Sequence, residues 1–257
     1  MNPTQFVIRM IRSVESPEVA RCFTKEHTNV LKQIGVNVTS AKQDWQSNPN
    51  TYMFIAEVAE TGEMVAGMRL DMDSEIKPIP MAEALTKLSP EFGDIVDNLK
   101  SCGLAEGCGW WIKKGYSGLG LPGTLLRAGV SVAPRLGIHY IVGFPHQHTK
   151  PIMAKYGFIA VDVIGTNGSF MYPDERYNST VVELNTQTLH TTPKVERERI
   201  LRLRNNPQLM EQDGDLLFQY WLDPEYESKS MPALLRALEE VEESEEPVLV
   251  YANYSNN

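Results

Sequence analysis

The chain has 257 residues, 42% of them apolar and 22% charged, the balance of an ordinary globular protein; collagen, low-complexity and wholly disordered chains are excluded. Lys plus Arg number 24 against 33 Asp plus Glu, a net charge of −9 to which the run Glu239–Glu246 contributes six. The most basic stretch, Lys194 to Arg204, has acids interleaved and reads as a solvated helix, so no nucleic-acid partner is expected.

No run approaches the ~18–20 apolar residues of a membrane helix, so no membrane partner is expected. Met1–Gln5 has no basic region leading into an apolar stretch, and Cys22, Cys102 and Cys108 are too few and odd in number for a disulfide framework. These features point to a reducing, cytoplasmic setting.

In chain order, Phe6–Ile11 reads as a strand. Ser16-Pro17-Glu18 opens a helix whose apolar face is Val19, Phe23, Val30, Leu31 and Ile34, ended by Gly35. Ser40–Gln46 is expected as a second short helix. Tyr52–Val58 and Met64–Leu70 form a hairpin about Glu60–Glu63. Residues 74–103 interrupt the pattern with Pro78, Pro80 and two short helices, Met81–Leu88 and Pro90–Lys100. Leu104–Lys113 is a strand ending in Trp110-Trp111-Ile112, at least one Trp of which is expected in the core. Ser117–Gly123 is glycine-rich, and Thr124–Leu136 has helical period.

His139–Phe144 is a strand, Lys150–Tyr156 a short helix, and Phe158–Ile164 and Thr180–Leu184 the last strands of the main body. Residues 193–257 read as an appendage: a helix from Pro193, the aromatic run Phe218–Trp221, a helix near Ala233–Val241, the acidic run, and an edge-strand candidate at Val248–Tyr251. Phe218–Trp221 fits either a homodimer contact or a seam against the main body. The order mixes strands and helices, so the class is α/β or α+β with a mixed sheet.

The chemistry concentrates between Glu106 and Thr124. A strand runs through a glycine-rich turn into a helix, which presents unpaired N–H groups at the positive end of the helix dipole, where phosphate or pyrophosphate binds. Ser117-Gly118-Leu119-Gly120-Leu121-Pro122-Gly123-Thr124 resembles the Arg/Gln-x-x-Gly-x-Gly/Ala loop of the GNAT acyltransferase superfamily, and the resemblance covers roughly residues 6–185. Glu106 lies eleven residues before Ser117, where many members carry a Glu, and Gly157-Phe158 matches a further element.

The sequence departs from that pattern at three positions. Ser117 stands for Arg or Gln. Pro122 removes one donor. Met153 stands where many members place a proton-donating Tyr, and the nearby Tyr156 reads as a core aromatic.

The resemblance implies a mixed, mostly antiparallel sheet with flanking helices. It divides the chain into an acyltransferase domain over 1–190, with its insert at 74–103, and a C-terminal helical extension over 191–257. It also implies acetyl-CoA or another acyl-CoA as co-substrate and a small-molecule amine as acceptor. Glu106 is the expected general base, with a pKa raised by Leu104, Trp110 and Trp111. Trp111, Ile112, Ser117, Gly118, Leu119, Gly120, Leu121, Gly123 and Thr124 are expected to hold coenzyme A.

Arg69 before the Pro-rich insert looks like the acyl-homoserine-lactone and N-acyl-amino-acid synthase branch of the same fold. Insert residues Ile79, Met81, Leu85, Leu88, Phe92, Ile95, Val96 and Leu99 either line an acyl-chain pocket or pack the insert onto the sheet. Arg69, His146 and His148 are candidate substrate contacts, with Arg69 equally suited to an ion pair. No metal is expected, because the pair His146/His148 lacks further ligands. The alternatives are a long-chain N-acyltransferase that uses acyl carrier protein and a non-catalytic acyl-CoA-binding or interaction module.

Overall fold

Phe6, Val7, Ile8, Met10 and Ile11 are all nearly inaccessible, so the first strand, β1 (Thr4–Arg12), is buried on both faces. In the computed structural model, which describes residues 4–35, 44–75, 77–172 and 175–223 (Glu83 without its side chain), β1 leads through one 3-10 turn into α1 (Pro17–Gln33). Pro17 takes the first helical position, where a missing N–H costs no helical bond. The expected hairpin follows as β2 (Thr51–Val58) and β3 (Met64–Met72). The insert is α2 (Pro80–Leu88) and α3 (Glu91–Lys100). Then come β4 (Leu104–Ile112), α4 (Leu121–Val132), β5 (Tyr140–Gly143), α5 (Lys150–Lys155) and β6 (Ile159–Ala160). A separate hairpin, β7 (Ser169–Met171) with β8 (Asn178–Thr180), precedes β9 (Val182–Asn185), α6 (Lys194–Asn205), β10 (Met210–Asp213) and β11 (Leu216–Trp221).

The main sheet runs β10-β11-β1-β2-β3-β4-β5-β9-β6. All its pairs are antiparallel except β1 with β11 and β4 with β5. The β4–β5 pairing covers only Leu104–Glu106 against Tyr140–Val142. β4 continues to Ile112 while β5 stops at Gly143, so the sheet opens on one side of β4 beyond Glu106.

Three cores flank this sheet. On one face α4 packs Leu121, Leu125 and Leu126 against Phe6, Ile8, Met68, Leu70 and Phe218. On the other, Phe23 of α1 packs with Ile11, Met53, Ile55, Trp45 and Trp111. The insert forms the third core. Ile79, Met81, Leu85, Phe92 and Val96 bury themselves against Leu104, Val142, Val161 and Val181, with Ile95 and Leu99 partly covered and Leu88 exposed.

The architecture departs from the sequence reading in four places. Residues 44–46 are not helical; the rest of the Ser40–Gln46 helix lies outside the described residues. α4 begins at Leu121, not Thr124, because the Gly120 carbonyl already accepts the Thr124 N–H and Pro122 is tolerated in a first turn. Only Ile159–Ala160 of the expected 158–164 strand pairs in the sheet. Gly165, Asn167 and Gly168, all at positive φ, bend the chain into the β7–β8 hairpin instead.

The fourth departure lies in the extension set apart at 191. There α6 packs on α4, and β11 joins the main sheet as the parallel neighbour of β1. Phe218 and Tyr220 are buried in the α4-side core, so the aromatic run is a seam. The expected helix at 233–241, the acidic run and the Val248–Tyr251 strand lie outside the described residues.

Candidate active site

The glycine-rich turn is anchored at its base and open at its tip. Lys113 pairs with Glu63 at 2.9 Å and Glu26 at 3.5 Å, and the Tyr116 hydroxyl donates to Glu63 at 3.1 Å. Past these anchors the backbone turns left-handed at Gly118 (φ 86) and Gly120 (φ 73), conformations that favour glycine. Both residues are exposed, and a Cβ on either would meet nothing within 4 Å.

Among the described residues, the N–H groups of Gly118, Leu119 and Gly120 meet no backbone acceptor. Those of Leu121 and Gly123 belong to the unpaired first turn of α4, which carries no acidic residue. Two expected contacts do not supply a free amide. The N–H of Ser117 bonds to the carbonyl of Lys114 and that of Thr124 to the carbonyl of Gly120. Gly123 is buried because the Tyr156 ring presses on it; a Cβ there would lie 2.1 Å from the tyrosine oxygen.

β4 leads directly into this turn. A register shift in the β3–β4 ladder, with Arg69 opposite Cys108 and Gly67 opposite Trp111, accommodates one extra β4 residue at Gly109–Trp110. The bulge brings Trp111 to the α1 face, buried against Phe23, while Trp110 packs against the α4-side core. Ile112 is half-buried. Across the opening, Gly143 faces the Gly107 carbonyl, and the buried Met153 methyl fills the space beside it.

Glu106 sits at the last position of β4 that pairs with β5, 6% exposed. One oxygen accepts the N–H of Met81, in the first turn of α2, at 2.6 Å. Burial pushes its pKa up to about 8 against that hydrogen bond and the charge of Arg69. It belongs to a buried cluster on the α1 side of β3 and β4. Asp71 stands opposite Glu106 in the ladder, and Arg69 stands opposite Cys108. The Arg69 Nη2 lies 3.2 Å from Asp71 Oδ2 and 3.3 Å from Cys108 Sγ. The Cys108 thiol also donates to Asp71 Oδ2 at 3.2 Å, and the Thr51 hydroxyl donates to Asp71 Oδ1 at 2.8 Å. Burial pushes the thiol well up, so it stays protonated.

Arg69 is 1% exposed, so it takes part in neither a surface ion pair nor a freely accessible contact. His146 and His148 are not drawn into this cluster. They follow β5, where the His146 Nδ1 lies 2.5 Å from the Ser179 hydroxyl with its ring beside Tyr177, and His148 is exposed. Among the described residues no group of three or more potential metal ligands comes together.

The sequence reading passed over Asp71, Thr51 and Trp45. Asp71 had a readable signal: Arg69-Leu70-Asp71 places both charges on one strand face, as Glu106-Gly107-Cys108 does across the ladder. Trp45 had none, because it stands outside any helix or strand and nothing in its local pattern points to Arg69.

No protein-family model matches this sequence. No curated protein matches it. Solved structures do resemble it in shape. An N-acyl amino acid synthase from uncultured soil microbes, FeeM, superposes with a TM-score of 0.59 at 12% identity, over 76% of this chain and 98% of that one. The CoA-dependent acyl-homoserine lactone synthase MesI gives 0.52 at 14% identity, over 81% and 98%. A second such synthase, BjaI, solved with SAM and isopentyl-CoA, gives 0.52 at 12% identity, over 90% and 99%.

The chain has a GNAT-like acyltransferase fold. The solved structures named above that share it are an N-acyl amino acid synthase and two acyl-homoserine lactone synthases. At these identities the likeness is one of fold, and function rests on the site.

Proposed function

We propose that the protein is an acyltransferase that moves an acyl group from acetyl-CoA or another acyl-CoA to a primary amine by direct attack in a ternary complex. The observation that carries this reading is the exposed bend Gly118–Gly120, with its unbonded amides at the start of α4 and the unpaired half of β4 beside it. Amides of residues 118–121 and 123 hold the pyrophosphate. The unpaired edge of β4 through Trp111 and Ile112 lies along the pantetheine arm.

The amine nitrogen attacks the thioester carbonyl. A C–N bond forms, the C–S bond breaks, and the nitrogen gives one proton to Glu106. The departing thiolate takes one proton from water, since Met153 has none to give. A base with a pKa near 8 is matched to neutral working pH. His146 and His148 border the acceptor side. The reading includes a cytoplasmic setting, drawn from the free thiols of Cys22, Cys102 and Cys108; no described helix is long and apolar enough to cross a membrane.

A second reading, a non-catalytic acyl-CoA-binding module, draws on the burial of Glu106 and its bond to Met81. Calorimetry with acetyl-CoA, long-chain acyl-CoA and free coenzyme A, followed by thiol-release assays over an amine panel, separates the readings. Binding with release supports the enzyme, and binding without release under any amine supports the module. Release from acyl carrier protein thioesters alone identifies the long-chain alternative. Failure to bind any thioester overturns all three.

A further inference from the structure

One short arc of chain ties β4 to the insert at two points. Asp73 follows the last residue of β3, and its N–H donates to the Leu104 carbonyl at 2.9 Å, which carries the β3–β4 ladder one step further. From that pinned backbone the Asp73 carboxylate reaches forward, where Oδ1 accepts the Ile79 N–H at 3.1 Å. Two residues on, the Met81 N–H donates to Glu106 Oε2 at 2.6 Å. The ring closes on β4, because Leu104 and Glu106 stand two residues apart on one strand face.

The arc is braced along its length. The Ser74 N–H donates to the Lys77 carbonyl at 3.1 Å, and the Lys77 N–H donates to the Ser74 hydroxyl at 3.0 Å. Ile79 and Met81 are buried in the same core as Leu104. Both lie at the start of α2, where N–H groups find no acceptor within the helix. Pro80 stands between them. It has no N–H to compete for either carboxylate, and its ring fixes φ, so the two amides leave the helix in a set relation.

These bonds decide which oxygen of Glu106 can act. Among the described residues the Met81 amide is its one hydrogen bond and occupies Oε2, so Oε1 is the oxygen left for a proton. A donated hydrogen bond favours the carboxylate over the acid and opposes the burial that pushes its pKa up. The charged or titratable groups facing Glu106 are Asp71 and Arg69 from β3 and Cys108 from β4. β5 meets it with Val142, and α2 with the Met81 amide.

We propose that Asp73 is a positioning residue for Glu106: by holding the Ile79 N–H it sets the start of α2, so that the Met81 amide occupies Oε2 and Oε1 stays free. The part Glu106 plays as a base rests on the acyltransferase reading; the setting of its carboxylate does not.

The test uses the full chain. Asp73→Ala removes the acceptor, and Asp73→Asn keeps an acceptor oxygen without the charge. The Glu106 titration is read twice, from the pH dependence of kcat/KM for thiol release and from NMR of isotope-labelled glutamate carboxyls, the signal being identified by its loss in Glu106→Gln. In Asp73→Ala both midpoints are expected to rise by about one pH unit or more, the worth of one hydrogen bond to a charged group. Asp73→Asn is expected to stay with the parent. Loss of a nearby negative charge alone moves both midpoints down, so direction separates the two causes. Should Asp73→Ala fail to fold, Pro80→Gly, which frees φ between the two donors, carries the test with a smaller rise in the same direction.

A rise in Asp73→Ala that Asp73→Asn restores supports the role. Midpoints unmoved in Asp73→Ala, even with turnover reduced, overturn it and leave the acyltransferase standing. Equal changes in the two variants assign the effect to charge and overturn it as well. A rise seen by NMR in a chain that releases no thiol supports the positioning and sinks the acyltransferase.

Discussion

Two buried arginines, on opposite faces of the same sheet, live in opposite circumstances. Arg127 of α4 bonds Glu196 through Nε at 2.5 Å and Nη2 at 3.0 Å, and it reaches Glu211 at 3.5 Å, Tyr220 at 3.2 Å and Tyr156 at 3.4 Å. Arg199 adds a 2.7 Å bond to Glu211, so two cations meet two anions. Burial pushes the Tyr220 hydroxyl up to about 12, which keeps it a neutral member. Arg69 has an equally buried guanidinium, yet two of its three nitrogens meet no hydrogen-bond partner among the described residues. The saturated cluster joins α4, α6 and β10 and has nothing left to offer a ligand. The unsaturated one adjoins the candidate base. Satisfied buried charge ties elements together, whereas unsatisfied buried charge costs stability that the surrounding fold must offset.

The contrast breaks most visibly in stability. Arg127→Met strands Glu196 without its cation, leaves Glu211 only Arg199, and is expected to remove ~3–5 kcal/mol, measured by urea unfolding. On the other face the sign follows from Glu106. Its folded pKa of about 8 lies above the unfolded carboxylate value, so the folded state holds the proton more tightly. That contribution is whole below about pH 4 and is lost as pH rises through about 8. Glu106→Gln, which has no proton to lose, is therefore expected to gain on the parent by a few kcal/mol between pH 5 and 9 in paired unfolding curves.

The same substitution is expected to lower thiol release by ~100-fold or more with acyl-CoA affinity unchanged, and to abolish the rise of kcat/KM toward pH 8. Unaltered turnover removes Glu106 from the chemistry. A smaller effect belongs to the bend. Gly120→Ala forces a side chain into a left-handed backbone at a cost of ~1–2 kcal/mol and crowds the amides, so acyl-CoA affinity is expected to fall ~10-fold by calorimetry. Smallest is Glu63→Gln, whose partners Lys113 and Tyr116 are partly solvated; less than ~1 kcal/mol of stability is expected to change.

What was legible in the sequence had local causes. The β2–β3 hairpin, the glycine turn and α4 announce themselves through alternation, punctuation and period, and the spacing from Glu106 to Ser117 follows from a strand running into its loop. What was illegible depends on distant partners. Thr51 with Asp71, Trp45 with Arg69 and Arg127 with Glu211 are meetings that tertiary packing alone creates. The β7–β8 hairpin was hidden because its strands are three residues each, too short for a period to register. The C-terminal strand was hidden because Leu216–Trp221 is as apolar as any oligomer contact; its parallel partner lies at the other end of the chain.

That partnership has a consequence for how the molecule is born. Residues 4–9 leave the ribosome before their final neighbour, residues 216–221, which emerges more than two hundred residues later. At translation rates of about 5–20 residues per second, β1 waits some tens of seconds with one edge bare. A nascent chain of this kind exposes a hydrophobic strand edge to its polysomal neighbours for that whole interval. Slower elongation or chaperone depletion is therefore expected to lower the yield of folded chain, read as the soluble fraction on expression.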